Sequence, residues 1–210
     1  MLGYSSKILG ILSACVIGHQ ALAICQATIG NDTRMRMIFD FTTDAVTKDW
    51  VEQSDTVRTV GKSKACFSIQ KTQQFRRAVF FSLLNPQDNG AGFAGSRILT
   101  NLDLSCGQNI LIKCRGQGNI NYKIILRHKG ENDEPYPTWE KFFESPTDFS
   151  VVSLSLNEFK PYYRGQLVNT TEKLDTSQIT SFGIQIPGGV YSTFKQRGPS
   201  SLEIDWIALE

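Results

Sequence analysis

Histidine is scarce in this sequence of 210 residues, which holds only His19 and His128. The cysteines form no C-x-x-C pair, so the pattern of a zinc site is missing. Neither charge dominates, since 22 basic residues face 20 acidic ones and the net charge is +2. The lack of a basic stripe argues against nucleic acid as a partner. We expect His128, at a predicted strand end, to be a surface residue and not catalytic.

Long apolar runs are missing as well. Residues 8–18 form an apolar run of 11 residues, which is too short to cross a bilayer comfortably. A short segment with one lysine precedes this run, and A-L-A follows it, ending at residue 23. That anatomy predicts a secretory signal peptide over residues 1–23 and a single domain over residues 24–210. A mitochondrial transit peptide would be arginine-rich, whereas the first arginines here are Arg34 and Arg36.

Cysteine usage agrees with an oxidising compartment. Cleavage after residue 23 leaves four cysteines, an even number, as a disulfide framework needs. Cys106 and Cys114 are close enough to close a small loop, which leaves Cys25 to pair with Cys66. Alternatively, Cys114 shares the apolar face of its strand and is a buried unpaired residue.

Two sequons support the same address. Asn31-Asp32-Thr33 and Asn169-Thr170-Thr171 match the acceptor pattern for N-glycosylation, so Asn31 and Asn169 are predicted glycan sites. The sequence therefore predicts a secreted glycoprotein, with a mitochondrial location as the alternative.

Helical periodicity is nearly absent, and alternation with a period of two residues recurs in its place. About eight to ten short antiparallel strands, separated by Gly, Pro, Asn and Asp clusters, predict an all-β jelly roll or β-sandwich. One helical turn is predicted over Thr43–Trp50, with Thr43 as its N-cap. "AVFFSLL" (78–84) is apolar on both faces, which predicts a central strand. In "SLEIDWIAL" (201–209), unbroken alternation places Leu202, Ile204, Trp206 and Ala208 on one face.

Glycines cluster in "DNGAGFAGSRI", where Gly90, Gly92 and Gly95 reproduce the spacing of a dinucleotide-binding fingerprint. That fingerprint must open a helix and be followed, about 20 residues on, by an acid that holds the ribose. Here the chain continues as the short, broken "SRILTNLDLSCG", and no acid stands at the required distance. We therefore predict that the glycines allow a tight bend at a sheet corner. Arg97 and Asp103 are predicted to brace this corner as an ion pair.

The loop "KGENDEPYPTW" gathers acids and aromatic side chains. Glu131, Asp133 and Glu134 offer the oxygen ligands of a weak calcium site, although no EF-hand spacing is present and an acidic loop is often simply solvated. No other cofactor is expected.

Aromatic side chains on this loop and on later loops are the candidate ligand-binding residues. Their flat faces could stack on sugar rings, or they could cap the ends of the sandwich. These residues are Tyr136, Trp139, Tyr162, Tyr163 and Tyr191.

From Phe39 to Leu209 the chain resembles the complex I intermediate-associated protein family, whose domain is a galactose-binding-like β-sandwich. The resemblance rests on the order and spacing of several motifs and departs from the family at one segment, where Gly-Gly-x-Ser is reduced to Gly61 and Ser63. The matching motifs are "FDF" (39–41), Ser54-Asp55, "NGAGFAGSR" (89–97), "LDLSCGQNILIKCRGQGNINYKIILR" (102–127), "YYRGQLV" (162–168), "LDTSQITSFGIQI" (174–186) and "GPSSLEIDWI" (198–207).

Three functions follow as hypotheses. The first is a secreted, non-enzymatic module that binds a glycan or an extracellular protein, as a component of the extracellular matrix would. The family resemblance implies the second, a mitochondrial factor that assists assembly intermediates of complex I. The third is a glycan-acting hydrolase, for which the sequence singles out no pair of carboxylates.

Overall fold

The computed structural model describes residues 35–43, 47–88, 90 and 92–210. The predicted signal peptide, Cys25 and Asn31 lie outside these residues. No helix in the described part of the chain has the length and apolarity of a membrane span. Thirteen strands and two 3-10 helices, Asp55–Val57 and Leu156–Glu158, make up its regular structure. The strands are β1 (Arg36–Asp40), β2 (Val51–Glu52), β3 (Lys64–Lys71), β4 (Arg76–Leu84), β5 (Phe93–Leu102), β6 (Asn109–Gln117), β7 (Asn121–His128), β8 (Thr138–Glu144), β9 (Ser150–Ser155), β10 (Lys160–Tyr163), β11 (Gln166–Leu167), β12 (Ile179–Pro187) and β13 (Gly198–Leu209).

The strands form two antiparallel sheets that enclose one core. The first sheet has the order β3-β4-β13-β6-β9, with β1 paired to β13, and the second has the order β11-β10-β8-β7-β12-β5-β2. The predicted β-sandwich is therefore confirmed. The predicted number of strands was too low, because β1, β2, β10 and β11 contain five residues or fewer and are too short to show alternation.

The core lies between the sheets and takes one residue in two from each strand, because successive side chains face opposite sides of a sheet. One part of the core is a cluster of aromatic rings in edge-on and stacked contacts. Within it, the Trp50 and Phe67 ring centroids lie 4.2 Å apart. The largest fully buried side chains are Tyr122, Phe41, Phe80, Phe182, Leu84, Leu104, Ile110, Ile112, Ile124, Leu126, Leu154 and Ile179.

A β-bulge in β13 corrects one prediction. The register between β13 and β6 shifts between Ile204 and Trp206. Before the shift Ile204 is in the core, and after it Ile207 and Leu209 take that position. An extra residue in one strand inverts which side chains face inward, so the predicted unbroken alternation through Trp206 is wrong.

Strand β4 is internal to its sheet, as predicted, but its outer face is covered only at Val79, which is buried, and not towards the end of the strand. Phe81 is 45% exposed and Leu83 is exposed too, whereas Phe80 and Leu84 are buried. The outer face of the first sheet is therefore open to solvent towards the end of this strand.

The predicted helical turn over Thr43–Trp50 is not found where the structure describes that segment. Residues 41–43 and 48–49 form turns, and residues 44–46 lie outside the described part. The backbone N–H of Trp50 donates to the Thr47 carbonyl at 3.0 Å, which closes a turn at the entry to β2.

The glycine segment leads into a strand and not into a helix. Gly90 has φ +91°, and β5 begins at Phe93. The glycines are thus followed by a strand, and the helix N-terminus that would bind the pyrophosphate in a dinucleotide-binding site is missing here. Gly95 lies within β5, where a Cβ would come 2.9 Å from the Gln53 carbonyl oxygen. Gly90 therefore permits a turn, as expected, whereas Gly95 permits close approach of the chain beside β5, not a bend.

The cysteines do not form the expected pairs. Cys66 and Cys114 are both free thiols, the first exposed and the second buried. Both halves of the predicted pairing are therefore wrong, and Cys114 is the buried apolar residue of the alternative hypothesis. Burial raises the pKa of the Cys114 thiol to about 12, which leaves it inert. Cys106 is disulfide-bonded.

Candidate functional site

The outer face of the second sheet forms a groove with a volume of about 830 Å³. Its floor comes from the side chains of β7, β8 and β12 that alternate with the core residues. On β7, Lys123 and Arg127 face the groove while Tyr122 and Leu126 are buried in the core. The further floor residues are Asn121, Ile125, Thr138, Glu140, Phe142 and Gln185.

Aromatic rings surround this floor. Four of the five aromatic residues singled out from the sequence line the groove, namely Tyr136, Tyr162, Tyr163 and Tyr191. Trp139 does not, because it alternates with Thr138 and Glu140 on β8 and lies in the core at 4% exposure. Its prediction as a ligand-binding residue is therefore wrong.

Sequence reasoning missed three further aromatic residues of the groove, Phe93, Phe142 and Phe194. The Phe142 ring meets the Tyr162 ring edge-on, with centroids 5.7 Å apart. Phe142 lies two residues from Glu140 on the same strand, so alternation along β8 would have revealed it had this strand been recognised.

A buried ion pair occupies the groove floor. Lys123 Nζ lies 2.6 Å from Glu140 Oε2, and the two side chains are only 6% and 5% exposed. The hydroxyl of Thr138 donates to Glu140 Oε1 at 2.8 Å. The ammonium can donate to one hydroxyl of a sugar diol while the carboxylate accepts from its neighbour, which is directional recognition of a neutral polar ligand.

The loop of residues 131–136 forms one wall of the groove and is fixed by Arg127. Its Nη1 donates to the carbonyl oxygens of Glu131, Asp133 and Tyr136 at 3.1–3.2 Å. Arg127 is itself buried, so these bonds are shielded from water. The loop that carries Tyr136 is thereby held in one shape.

The three acids of this loop do not converge on a calcium site. Asp133 Oδ1 accepts from Arg97 Nη2 at 2.8 Å, and Glu134 receives two bonds from Arg164, at 2.6 and 3.2 Å. Glu131 instead faces His128. Because each carboxylate has a different partner, the calcium hypothesis has no geometric support here.

Arg97 braces the structure with a different partner from the one predicted. It binds Asp133 and the carbonyl oxygen of Asn132, so it attaches β5 to the groove wall. Asp103 instead accepts from the backbone and hydroxyl of Ser105 at 2.9 and 2.6 Å. The predicted Arg97–Asp103 pair is therefore wrong.

His128 is buried beside the same wall, contrary to the predicted surface position. Its Nδ1 accepts the backbone N–H of Asp175 at 2.7 Å. The neutral ring therefore carries its proton on Nε2, which faces Glu131 and Glu172 at 3.9 and 3.6 Å. The oxygens of these two acids and the ring lie close enough together for a metal ion. However, the ring nitrogen on that side bears a proton and not a lone pair.

We expect His128 to make stability fall on mild acidification. Burial lowers the pKa of His128, and Lys129 lowers it further, against the opposing effects of Glu172, Glu131 and Asp175. The unfolded chain therefore takes up the proton first, so the stabilisation present above about pH 6.5 is lost as pH falls towards the folded pKa. Between about pH 7.5 and about pH 5.5, the wild type should lose more unfolding free energy than His128→Gln in denaturant titrations. Equal losses in the two proteins would contradict this assignment.

A family model described as Complex I intermediate-associated protein 30 (CIA30) matches residues 39–204. The chain belongs to the CIA30 family. The match begins in β1 and ends in β13. It therefore includes strands of both sheets and all the residues that line the groove, from Gln53 to Gln196. No curated protein sequence matches the chain.

Solved structures similar to this CIA30 chain include galactose-binding-like β-sandwiches of carbohydrate-binding modules. One is the family 11 carbohydrate-binding module of the cellulosomal cellulase Lic26A-Cel5E of Clostridium thermocellum, with a TM-score of 0.60 at 14% identity over 84% of this chain and 94% of the module. The family 11 module from the same organism in complex with a β-1,3-1,4-mixed-linked tetrasaccharide gives 0.59 at 15% identity, over 83% and 94%. An exo-β-agarase gives 0.53 at 11% identity, over 83% of this chain but 25% of the enzyme. At these identities the likeness shows the shared fold.

Proposed function

We propose that this CIA30-family protein is a secreted, non-enzymatic module that binds glycans in the groove of its second sheet. The observation that carries the proposal is the combination of tyrosine rings with a buried, paired ammonium and carboxylate on one concave surface. Rings that stack on sugar faces and fixed polar groups that bind hydroxyls are the two requirements of glycan recognition. The tetrasaccharide complex of the family 11 module supports the proposal, since a protein of similar fold binds a glycan in that complex.

The ion pairs of the groove acids support a binding role. Asp133, Glu134 and Glu140 each face a cation. The hydrogen bond from Arg164 lowers the pKa of Glu134. A glycosidase needs one carboxyl that stays protonated beside a second, ionised one. Each of these three carboxyls is paired with a cation, and the described lining of the groove offers no unpaired carboxyl for that role.

Secretion rests on the sequence of residues 1–23, on the two sequons and on the cysteines. Asn169 is exposed, which suits a glycan acceptor. Because Cys66 and Cys114 are free, we propose that Cys106 pairs with Cys25. The family name favours a second candidate, a complex I assembly factor.

Mass spectrometry of the native protein separates these two candidates. The secreted module should begin at Ile24, carry a glycan on Asn169 and yield a Cys25–Cys106 cross-linked peptide. An unglycosylated protein purified from mitochondria together with complex I intermediates would refute secretion and support the assembly role.

Glycan binding has its own test on an array of defined oligosaccharides. Tyr136→Ala should weaken binding of the best array glycan about fivefold, because a stacked ring contributes on the order of 1 kcal/mol. Phe81→Ala is the matched control, since Phe81 has the same 45% exposure as Tyr136 but lies on the other sheet. If both substitutions weaken binding equally, or if no array glycan binds, the groove is not a glycan site.

A further inference from the structure

The groove is blocked at the end where β10 turns into β11. The turn consists of Arg164 and Gly165, and both walls of the groove touch it. From one wall, Glu134 binds the Arg164 guanidinium through two hydrogen bonds. From the other wall, the Tyr191 ring packs on Gly165, so that a Cβ there would lie 3.4 Å from two ring carbons. The two walls therefore meet at adjacent residues.

The conformation of this turn is one that arginine rarely adopts. Arg164 has φ +51° and Gly165 has φ +80°, the left-handed pair of a two-residue type I′ hairpin, for which Asn-Gly is the favoured sequence. A non-glycine residue in this region carries an energetic cost, because its Cβ comes too close to the backbone carbonyl oxygen. The arginine offsets that cost through its bonds to Glu134 and through the Tyr163 ring, whose centroid lies 5.2 Å from the guanidinium carbon. Arg164 therefore occupies this position, and its side chain closes the groove, although arginine disfavours the left-handed backbone conformation.

Across the strand order from β11, the first 3-10 helix follows β2 and adjoins the groove. Val57 and Arg58 border it, and Val57 is 70% exposed. A ligand that enters here meets the Lys123–Glu140 pair on the floor before it reaches Tyr163 and Tyr191. A chain that continued beyond them would run into the Arg164–Gly165 turn.

Resting on the glycan-binding function proposed above, we propose that the groove binds the terminal sugar of a glycan chain and excludes its internal segments. The terminal residue lies against Tyr163 and Tyr191, where the exposed Arg164–Glu134 pair can bind its free hydroxyls. Specificity then comes from the steric block as much as from attraction, since a sugar linked onward at that position has no room.

Chain-length dependence tests this proposal. Each polysaccharide that contains the best array glycan is hydrolysed to fractions of decreasing mean length, and the mass concentration at which each fraction displaces that glycan from the protein is measured. Because hydrolysis creates ends but conserves repeating units, fractions cut about tenfold shorter should compete at about tenfold lower mass concentration. A midpoint that stays constant per mass of sugar would overturn terminal recognition and leave glycan binding intact. Absence of binding to every array glycan and to every hydrolysed fraction would overturn both.

A double variant opens the blocked end without removing the hairpin. Arg164→Asn restores the favoured Asn-Gly turn, and Tyr191→Ala removes the ring from Gly165. This variant lacks two of the groups assigned to the terminal sugar and should bind more weakly overall, but it should bind long and short fractions equally per mass, whereas the Phe81→Ala control should keep the wild-type dependence on chain ends. If the opened variant still responds only to chain ends, the turn is not what selects them.

Discussion

Asp55→Ala is expected to lower the free energy of unfolding by about 3 kcal/mol. The carboxylate is fully buried. It accepts the backbone N–H of Ser63 at 2.8 Å and the Ser63 hydroxyl at 2.7 Å. Alanine would leave both buried donors without acceptors, and this desolvation penalty is the main part of the loss. Urea titrations followed by tryptophan fluorescence measure it.

Two further variants define the role of Asp55. Asp55→Asn keeps one acceptor for the Ser63 backbone and should recover about half of the lost stability. Asp49→Ala is the control, because Asp49 is exposed, and surface substitutions usually change stability by less than about 0.5 kcal/mol. A loss below about 1 kcal/mol for Asp55→Ala would show that water replaces the missing acceptor.

The same contacts explain what remains of the glycine-serine segment that follows Ser54-Asp55. A Cβ on Gly61 would lie 2.0 Å from the Asp55 carbonyl oxygen, so the chain can pass Asp55 only with glycine at that position. Ser63 supplies the two donors and also accepts the N–H of Asn85 at 3.0 Å. Gly61 and Ser63 are thus the two residues that this buried junction requires.

The second large effect concerns the ion pair on the groove floor. Glu140→Leu should cost about 3–5 kcal/mol, because it leaves the buried Lys123 ammonium unpaired. The double variant Lys123→Met/Glu140→Leu removes both charges and should unfold with a free energy close to that of the wild type. The double variant should nevertheless bind the best array glycan at least about tenfold more weakly, since it lacks the charged donor and acceptor.

This pair of variants separates stability from binding. Denaturant titrations give the first quantity and calorimetry with the array glycan gives the second. If the double variant is stable and binds as tightly as the wild type, the ion pair supports the sheet and takes no part in recognition.

Alternation predicted the sandwich because a two-sheet core needs one apolar face from each strand. It failed at β13, where the bulge between Ile204 and Trp206 comes from pairing with β6, which the sequence of one strand does not record. It also failed at β5. A tight bend was predicted at the glycines, whereas Gly95 lies within the strand. Both errors concern contacts between strands that are distant in sequence.

The groove was partly predictable for the same reason. Four tyrosines were identified from their type and their predicted place on loops, although Tyr162 and Tyr163 lie in β10. Trp139 had the same sequence signal, but its place in β8 puts it in the core. Lys123 alternates with Tyr122 and Ile124, which are both buried, so the sequence contained a signal for its outward position, but Lys123 was not predicted as a groove residue. Its buried partner Glu140 became apparent only from the pairing of β7 with β8.

The arginines that hold residues 131–136 differ in how they respond to dissolved ions. The bonds from Arg127 are buried, so mobile ions scarcely weaken them, whereas the Arg164–Glu134 pair is more than half exposed. Salt should therefore loosen the blocked end of the groove while the remainder of the wall keeps its shape. Ionic strength would then act as a selective control on which glycans the groove admits.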